Sequence, residues 1–466
     1  MIPKESSLCS SPNVPGVYFK PRDGNIVKLY VNADDGDDMA PTVTYGGENN
    51  DEKVWSPPRL WRDIYDALCA AKSFIYITGW AVDTSQSLLR GEERFKALNG
   101  AYSPLIGELL KQKAEEGVCV NMLVWDDATS NPTALRPVGM MGTHDEESRM
   151  FFKGSKVNFV LAPMKGGDEN LIQEKIAKLV MFTHHQKIVL VDSPVDEGNP
   201  DVREPLAFVG GIDLTDGRWD NRKHPLFRTL ASDHNEDWYN GCFNVNVREV
   251  GPRQPWHDIH CSLRGPGTMD VIANFRERWY KQASNLAGGL IDLHSAGIEP
   301  HVHETKEEWC SQVLRSIDAR TCVFDKARLS HYDDVDLDHM EGITYEGDDI
   351  HVKEDTRGKF IAGAEQTRSF RTASTEKFIF ENDLELKKGR YVDKSMHKGW
   401  VHHIRRAKHT IYIESQYFLG SSHLWDNVTT AKCGNLIPAE VTLKICDKIA
   451  QGERFTAYIL VPLWPE

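Results

Sequence analysis

No stretch of this chain approaches the roughly 18–20 consecutive apolar residues that a membrane-spanning helix needs. The longest apolar candidates, 74–82 and 187–191, are the size of strands. The first sixteen residues lack an apolar core, so no secretory leader is read there. Basic residues are in short supply: 55 lysines and arginines face 69 aspartates and glutamates, for a net charge of −14. That argues against a broad electrostatic grip on nucleic acid, but leaves room for one local phosphate pocket. The nine cysteines are odd in number and form no CxxC pair, as expected for reduced thiols in a cytoplasmic protein. What remains is an ordinary globular mixture, 40% hydrophobic and 27% charged, with room in 466 residues for two or three domains.

Residues 1–55 read as an irregular lead-in with one strand at 25–31. Ser56–Pro57 is expected to start a helix with Leu60, Ile64 and Leu68 on its apolar face. A strand follows from Phe74, a second helix runs from Ser103–Pro104 to Gly117, and a second strand occupies 118–125. Both strands are apolar on both faces, which predicts a βαβ unit with a buried parallel pair. The pattern returns near the C-terminus. AKSFIYI at 71–77 becomes AKHTIYI at 407–413, and 104–117 is echoed by 438–452. Ile75 precedes Gly117 by 42 residues and Ile411 precedes Gly452 by 41. An α/β fold with duplicated halves follows. The first half is placed at 56–300, a linker with an acidic insert at 301–390, and the start of the second half at 391–466. The acidic stretch 325–390 is expected to be solvated surface.

The sharpest chemical signal is MFTHHQKIVLVDS at 181–193, which holds His185, Lys187 and Asp192 as H-x-K-x4-D. On a strand, residues two apart share a face, so His185 and Lys187 are expected side by side. An imidazole can attack phosphorus while an ammonium holds the non-bridging oxygens. Gly210 and Gly211 would let backbone approach a ligand, with Asp213 presenting a carboxylate nearby. The competing reading is a lysine and histidines at the solvent end of a core strand.

These motifs resemble the phospholipase D superfamily, specifically its plant-type, calcium-dependent members. The resemblance extends through LVWDDATS (123–130), THDEE (143–147), FVGGIDLTDGRWD (208–220), HPLFRTL (224–230), GPRQPWHDIH (251–260) and IYIESQYFLGSS (411–422). It implies hydrolysis of the distal phosphodiester of phosphatidylcholine-like lipids, through a phosphohistidine, to phosphatidate and an alcohol. His185 would be the nucleophile, Lys187 a phosphate clamp, Asp192 a fixer of the motif's geometry, and Gln416 a phosphate ligand. Calcium is implied too, with His224 and His257 at matching positions and Asn32 where an aspartate is expected, Asp34 being close by. Two parts of the pattern are missing: a second H-x-K-x4-D, expected beyond Glu466, and an N-terminal lipid-binding β-sandwich. The resemblance therefore implies peripheral action at a phospholipid membrane surface, with pairing of two His185 motifs in a homodimer as one route to activity. The alternatives are an impaired phospholipid- or phosphate-binding fragment, and a nuclease-type phosphodiesterase, which the acidic charge disfavours.

Overall fold

A computed structural model describes residues 13–34, 43–46, 52–55, 57–96, 102–130, 141–163, 183–196, 198–240, 252–283, 286, 289–303, 309–319, 321–325, 328, 343–346, 349–352, 392–420 and 435–462. The chain divides into two compact units: Arg22–Met164 with Glu169–Ser311, and Met1–Pro21 with Lys165–Asp168 and Gln312–Glu466.

The larger unit is built on one mixed sheet. Its strands are β1 (Arg22–Tyr30), β4 (Phe74–Gly79), β5 (Cys119–Trp125), β6 (Asn158–Ala162), β7 (Lys187–Asp196), β8 (Asn199–Gly210), β9 (His260–Arg264) and β10 (Trp309–Ser311). A short hairpin, β2 (Val43–Gly46) with β3 (Glu52–Trp55), lies outside it. The sheet order is β10-β1-β9-β8-β7-β4-β5-β6. As expected, β4 and β5 pair in parallel, and β6 extends them. The strand of the H-x-K-x4-D motif is different: β7 is antiparallel to both neighbours, β4 and β8.

All six residues of β4 are buried because helices cover both faces. On one side, Leu60, Ile64 and Leu68 of α1 (Leu60–Ala70) join Ile106, Leu109 and Leu110 of α3 (Ile106–Glu115) in the main core. Between them lies the short α2 (Gly91–Lys96), and α4 (Asp145–Phe152) packs beyond. On the other side, Phe275 and Trp279 of α5 (Thr268–Gln282) are fully buried, and Phe275 stacks on Tyr76 at 4.8 Å and 8°. The helices start later than the sequence suggests. The N-cap of α1 is Arg59 and that of α3 is Leu105, whereas Pro57 and Ser103–Pro104 are lead-in and Ser56 lies outside the described residues.

The smaller unit holds β11 (Ile317–Asp318), β12 (Ile343–Glu346), β13 (Asp349–Val352), β14 (Val392–Asp393), α6 (Ser395–Arg406), β15 (Thr410–Glu414), α7 (Ile437–Ala450) and β16 (Thr456–Leu460). Here the sequence duplication becomes structural. Ala71 ends α1 and Ala407 ends α6. Both strand pairs, β4–β5 and β15–β16, are parallel, and the Cys119 and Thr456 N–H groups donate to Ser73 and His409 at equivalent positions. Gly117 and Gly452 close the second helix of each repeat with positive φ, +96° and +67°. Most of the acidic insert lies outside the described residues; within it, β12 and β13 form a hairpin. Among the described residues no helix is long and apolar enough to cross a membrane. Cys69, Cys119, Cys261, Cys322 and Cys446 are free thiols, but Cys310 is disulfide-bonded, a departure from uniformly reduced cysteines.

Candidate active site

Lys187 opens β7 opposite Gly210, the last residue of β8, and Gly210 in turn faces His260 on β9. A Cβ on Gly210 would stand 2.5 Å from the His260 ring, and one on Gly211 would stand 2.6 Å from the Asp258 carboxylate. Only glycine lets the backbone pass so close. The chain then turns to Asp213. Its Oδ2 lies 2.7 Å from Lys187 Nζ, and its Oδ1 accepts the Trp80 N–H at 3.0 Å. The pair is nearly sealed, at 6% and 3% exposure. Burial lowers the Lys187 pKa despite Asp213 beside it.

His185 lies two residues ahead of β7, on a coil. Its carbonyl accepts from Lys187 Nζ at 3.2 Å, and its ring packs 5.9 Å from Trp80. The intervening Gln186 is clamped. Its side-chain amide and that of Asn274 exchange hydrogen bonds at 3.0 and 3.3 Å, Arg278 donates to Gln186 Oε1 at 3.0 Å, and Thr78 Oγ1 donates to its carbonyl at 3.1 Å. The His185 residue is exposed while Lys187 is buried. Desolvation by surrounding protein, then the Lys187 and Arg218 charges, pull the imidazole pKa down to about 4 against the pull of Asp213. At neutral pH the ring therefore carries a lone pair, as a nucleophile needs. His184 and His260 are likewise held down, each to about 3, mainly by burial.

Asp192 is not at this end of the strand. Five residues at about 3.3 Å each put it roughly 16 Å from Lys187, on the opposite face. It is fully buried, accepts from the N–H groups of Lys72, Ser73 and Phe74, and pairs with Arg203 at 2.7 Å. Its work is to tie the turn before β4 to β7 and β8.

The family model for phospholipase D matches residues 67–350 and 330–466. This chain belongs to the phospholipase D family. It is similar to phospholipase D alpha 1 of Cynara cardunculus, 39% identical over 464 residues, which are 98% of this chain and 51% of that protein. The enzyme of the same name from Ricinus communis is 40% identical over 464 residues, with the same coverage, and that of Arabidopsis thaliana 39% over 465. The chain thus spans about half the length of the curated relatives it matches. Among solved structures, a phospholipase D family member, Nuc from Salmonella typhimurium, aligns with TM-score 0.21 and 10% identity over 56% of this chain and 95% of that one; a likeness this low carries no argument.

The two histidines expected at a calcium site do meet. The rings of His224 and His257 stack with centroids 3.8 Å apart, and His224 Nδ1 lies 3.0 Å from Asp220 Oδ2. Among the described residues, the carboxylates of Asp220 and Asp34 are already engaged. The same Asp220 Oδ2 accepts from Arg253 at 2.8 Å, and Asp34, whose N–H donates to the Asp220 carbonyl, is held by Arg59 at 2.5 and 2.8 Å. Calcium requires six to eight oxygens; two imidazoles with these committed carboxylates do not fit it. The remaining predicted residue, Gln416, lies in the smaller unit, exposed in the coil after β15.

Sequence reasoning did not assign roles to His144, His260, Trp80 or Arg218. His144, in the THDEE block, lies between Glu147 at 2.5 Å and Asp216 at 3.3 Å. Burial works against its proton, but those two hydrogen bonds, helped by Asp83, outweigh it and raise the pKa to about 10. The oxygens and ring nitrogen of Asp83, His144 and Asp216 cluster within 4.8 Å of one another. Both ring nitrogens of His144 are engaged by carboxylates, Nδ1 by Glu147 and Nε2 by Asp216, so the cluster reads as an ion network. A raised folded-state pKa stabilises fully below the unfolded value, near 6.5, and is lost as pH rises through about 10. The stability gap between wild type and His144→Gln, measured by denaturant titration, is therefore expected to be flat below pH 6.5, at a few kcal/mol, and to close by about pH 10.

Proposed function

We propose that this chain carries the phosphodiester-cleaving half-site of a phospholipase D, acting on phosphatidylcholine-like glycerophospholipids at the cytoplasmic surface of membranes. The observation that carries the reading is the exposed His185 gathered with the sealed Lys187–Asp213 pair round the Trp80 ring. Its lone pair forms an N–P bond while the P–O bond to the headgroup breaks. The leaving oxygen takes the electron pair and a proton. Water then cleaves the phosphohistidine, giving phosphatidate and restoring the imidazole. Lys187 holds the non-bridging oxygens. The leaving alcohol needs a general acid, and this reading gives that role to a second imidazole facing the first across the phosphate. A second copy of this chain, pairing its own His185 across a two-fold, supplies one. Calcium belongs to the reading only through the plant-type class, and no step is routed through it.

The test is choline release from short-chain phosphatidylcholine, followed with acid-quench trapping of the phosphoenzyme across protein concentrations. Release that rises with dimer formation, together with trapped phosphohistidine, is expected. Vesicle binding without turnover at any concentration would leave a lipid-binding fragment instead, and plasmid nicking would point to a nuclease.

A further inference from the structure

Arg218 is 4% exposed, in the loop after Asp213. Burying a guanidinium is costly unless its donors are used. Yet among the described residues it makes a single hydrogen bond, from Nη1 to the Asp216 carbonyl at 2.9 Å. Three aromatic rings hold it instead: Trp256 at 4.0 Å, Tyr239 at 4.7 Å and Trp80 at 5.6 Å from the guanidinium carbon. Such contacts are attractive and fix position without consuming the N–H donors. Trp80 is shared. Lys187 Nζ lies 5.9 Å from the same ring and the His185 ring lies 5.9 Å away, so nucleophile, ammonium and guanidinium gather round one indole. A further stack, Trp125 on Trp80 at 5.9 Å and 17°, backs that platform.

We propose that Arg218 is a third ligand of the phosphoryl group, its fork of donors kept ready by the Trp80–Tyr239–Trp256 cage for the non-bridging oxygens of the phosphorus that His185 attacks. The proposal rests on the phosphodiesterase reading above and adds to it. Among the described residues the nearby carboxylates are engaged with other partners: Asp213 holds Lys187, Asp258 interacts electrostatically with Lys187, and the Asp216 carboxylate holds His144 and reaches Arg218 only electrostatically. An incoming phosphate diester is therefore the anion that completes the cluster. A planar guanidinium matches two phosphoryl oxygens at once, which an ammonium does not. Arg218 also depresses both His185 and Lys187, which places it within electrostatic reach of each.

The experiment uses the full chain and tungstate as a phosphoryl mimic, with calorimetric affinities for wild type, Arg218→Gln and Arg218→Lys. Loss of charged hydrogen bonds worth ~1.5–3 kcal/mol predicts about 10- to 100-fold weaker binding in R218Q and an intermediate loss in R218K. In the free protein, NMR titration of the His185 ring is expected to show its pKa moving upward in R218Q, a change that loss of a purely structural contact would not direct. R218Q binding tungstate as tightly as wild type overturns the proposal. Should R218Q fail to fold, R218K decides, because equal affinity there removes the need for the fork. Wild type that binds no tungstate and releases no choline instead removes the phosphodiesterase reading itself.

Discussion

Replacing His185 by asparagine is expected to lower choline release by roughly 10⁴–10⁶-fold, the scale of loss when a covalent nucleophile is removed. Trapped phosphoenzyme should vanish with it, while tungstate still binds, because Lys187, Asp213 and Arg218 are untouched. The wild-type kcat/KM should fall only as pH drops through about 4, where the ring gains its proton, instead of near the ordinary value of 6.5. A variant retaining more than a hundredth of the rate, or an acid limb near 6.5, contradicts the assignment.

The second large effect concerns stability. Asp192→Ala strips three backbone N–H groups of their acceptor and leaves Arg203 with its charge buried at 8% exposure. Breaking a buried pair from one side costs about 3–5 kcal/mol. That loss should appear in urea unfolding, with Asp192→Asn milder because an amide oxygen still accepts. The His185 imidazole pKa in the folded fraction should not move, since the two residues stand at opposite ends of β7. A shifted pKa with little loss of stability would instead tie Asp192 to the chemistry.

Much of this was legible in the residues. The apolar runs of β4 and β5 announced their burial, and the AK-x-x-IYI repeat announced the second parallel pair, because burial on two faces and closure by glycine leave marks in spacing. Lys187, Asp213 and the two glycines were foreseeable for the same reason. The positions of His185 and Asp192 were not. The strand begins at Lys187, so the period-2 argument does not reach His185, and the parity of five residues sends Asp192 to the other face. Helix starts were misplaced because Ser56 and Ser103 resemble caps, while tertiary contacts put the caps at Arg59 and Leu105. Arg218, His144 and Trp80 are scattered over some 140 residues, and no local pattern signals that folding gathers aromatic and charged groups from three loops.

The clamping of Gln186 has a mechanical consequence. The residue next to the nucleophile is bolted to a helix by an amide pair and an arginine, and to the neighbouring strand by a threonine hydroxyl, while the residue after it belongs to the sheet. His185 is thus a stiff post, with only its own side-chain torsions to adjust. In the proposed reaction, whatever travel is needed falls to the substrate, whose phosphorus must come to a stationary ring.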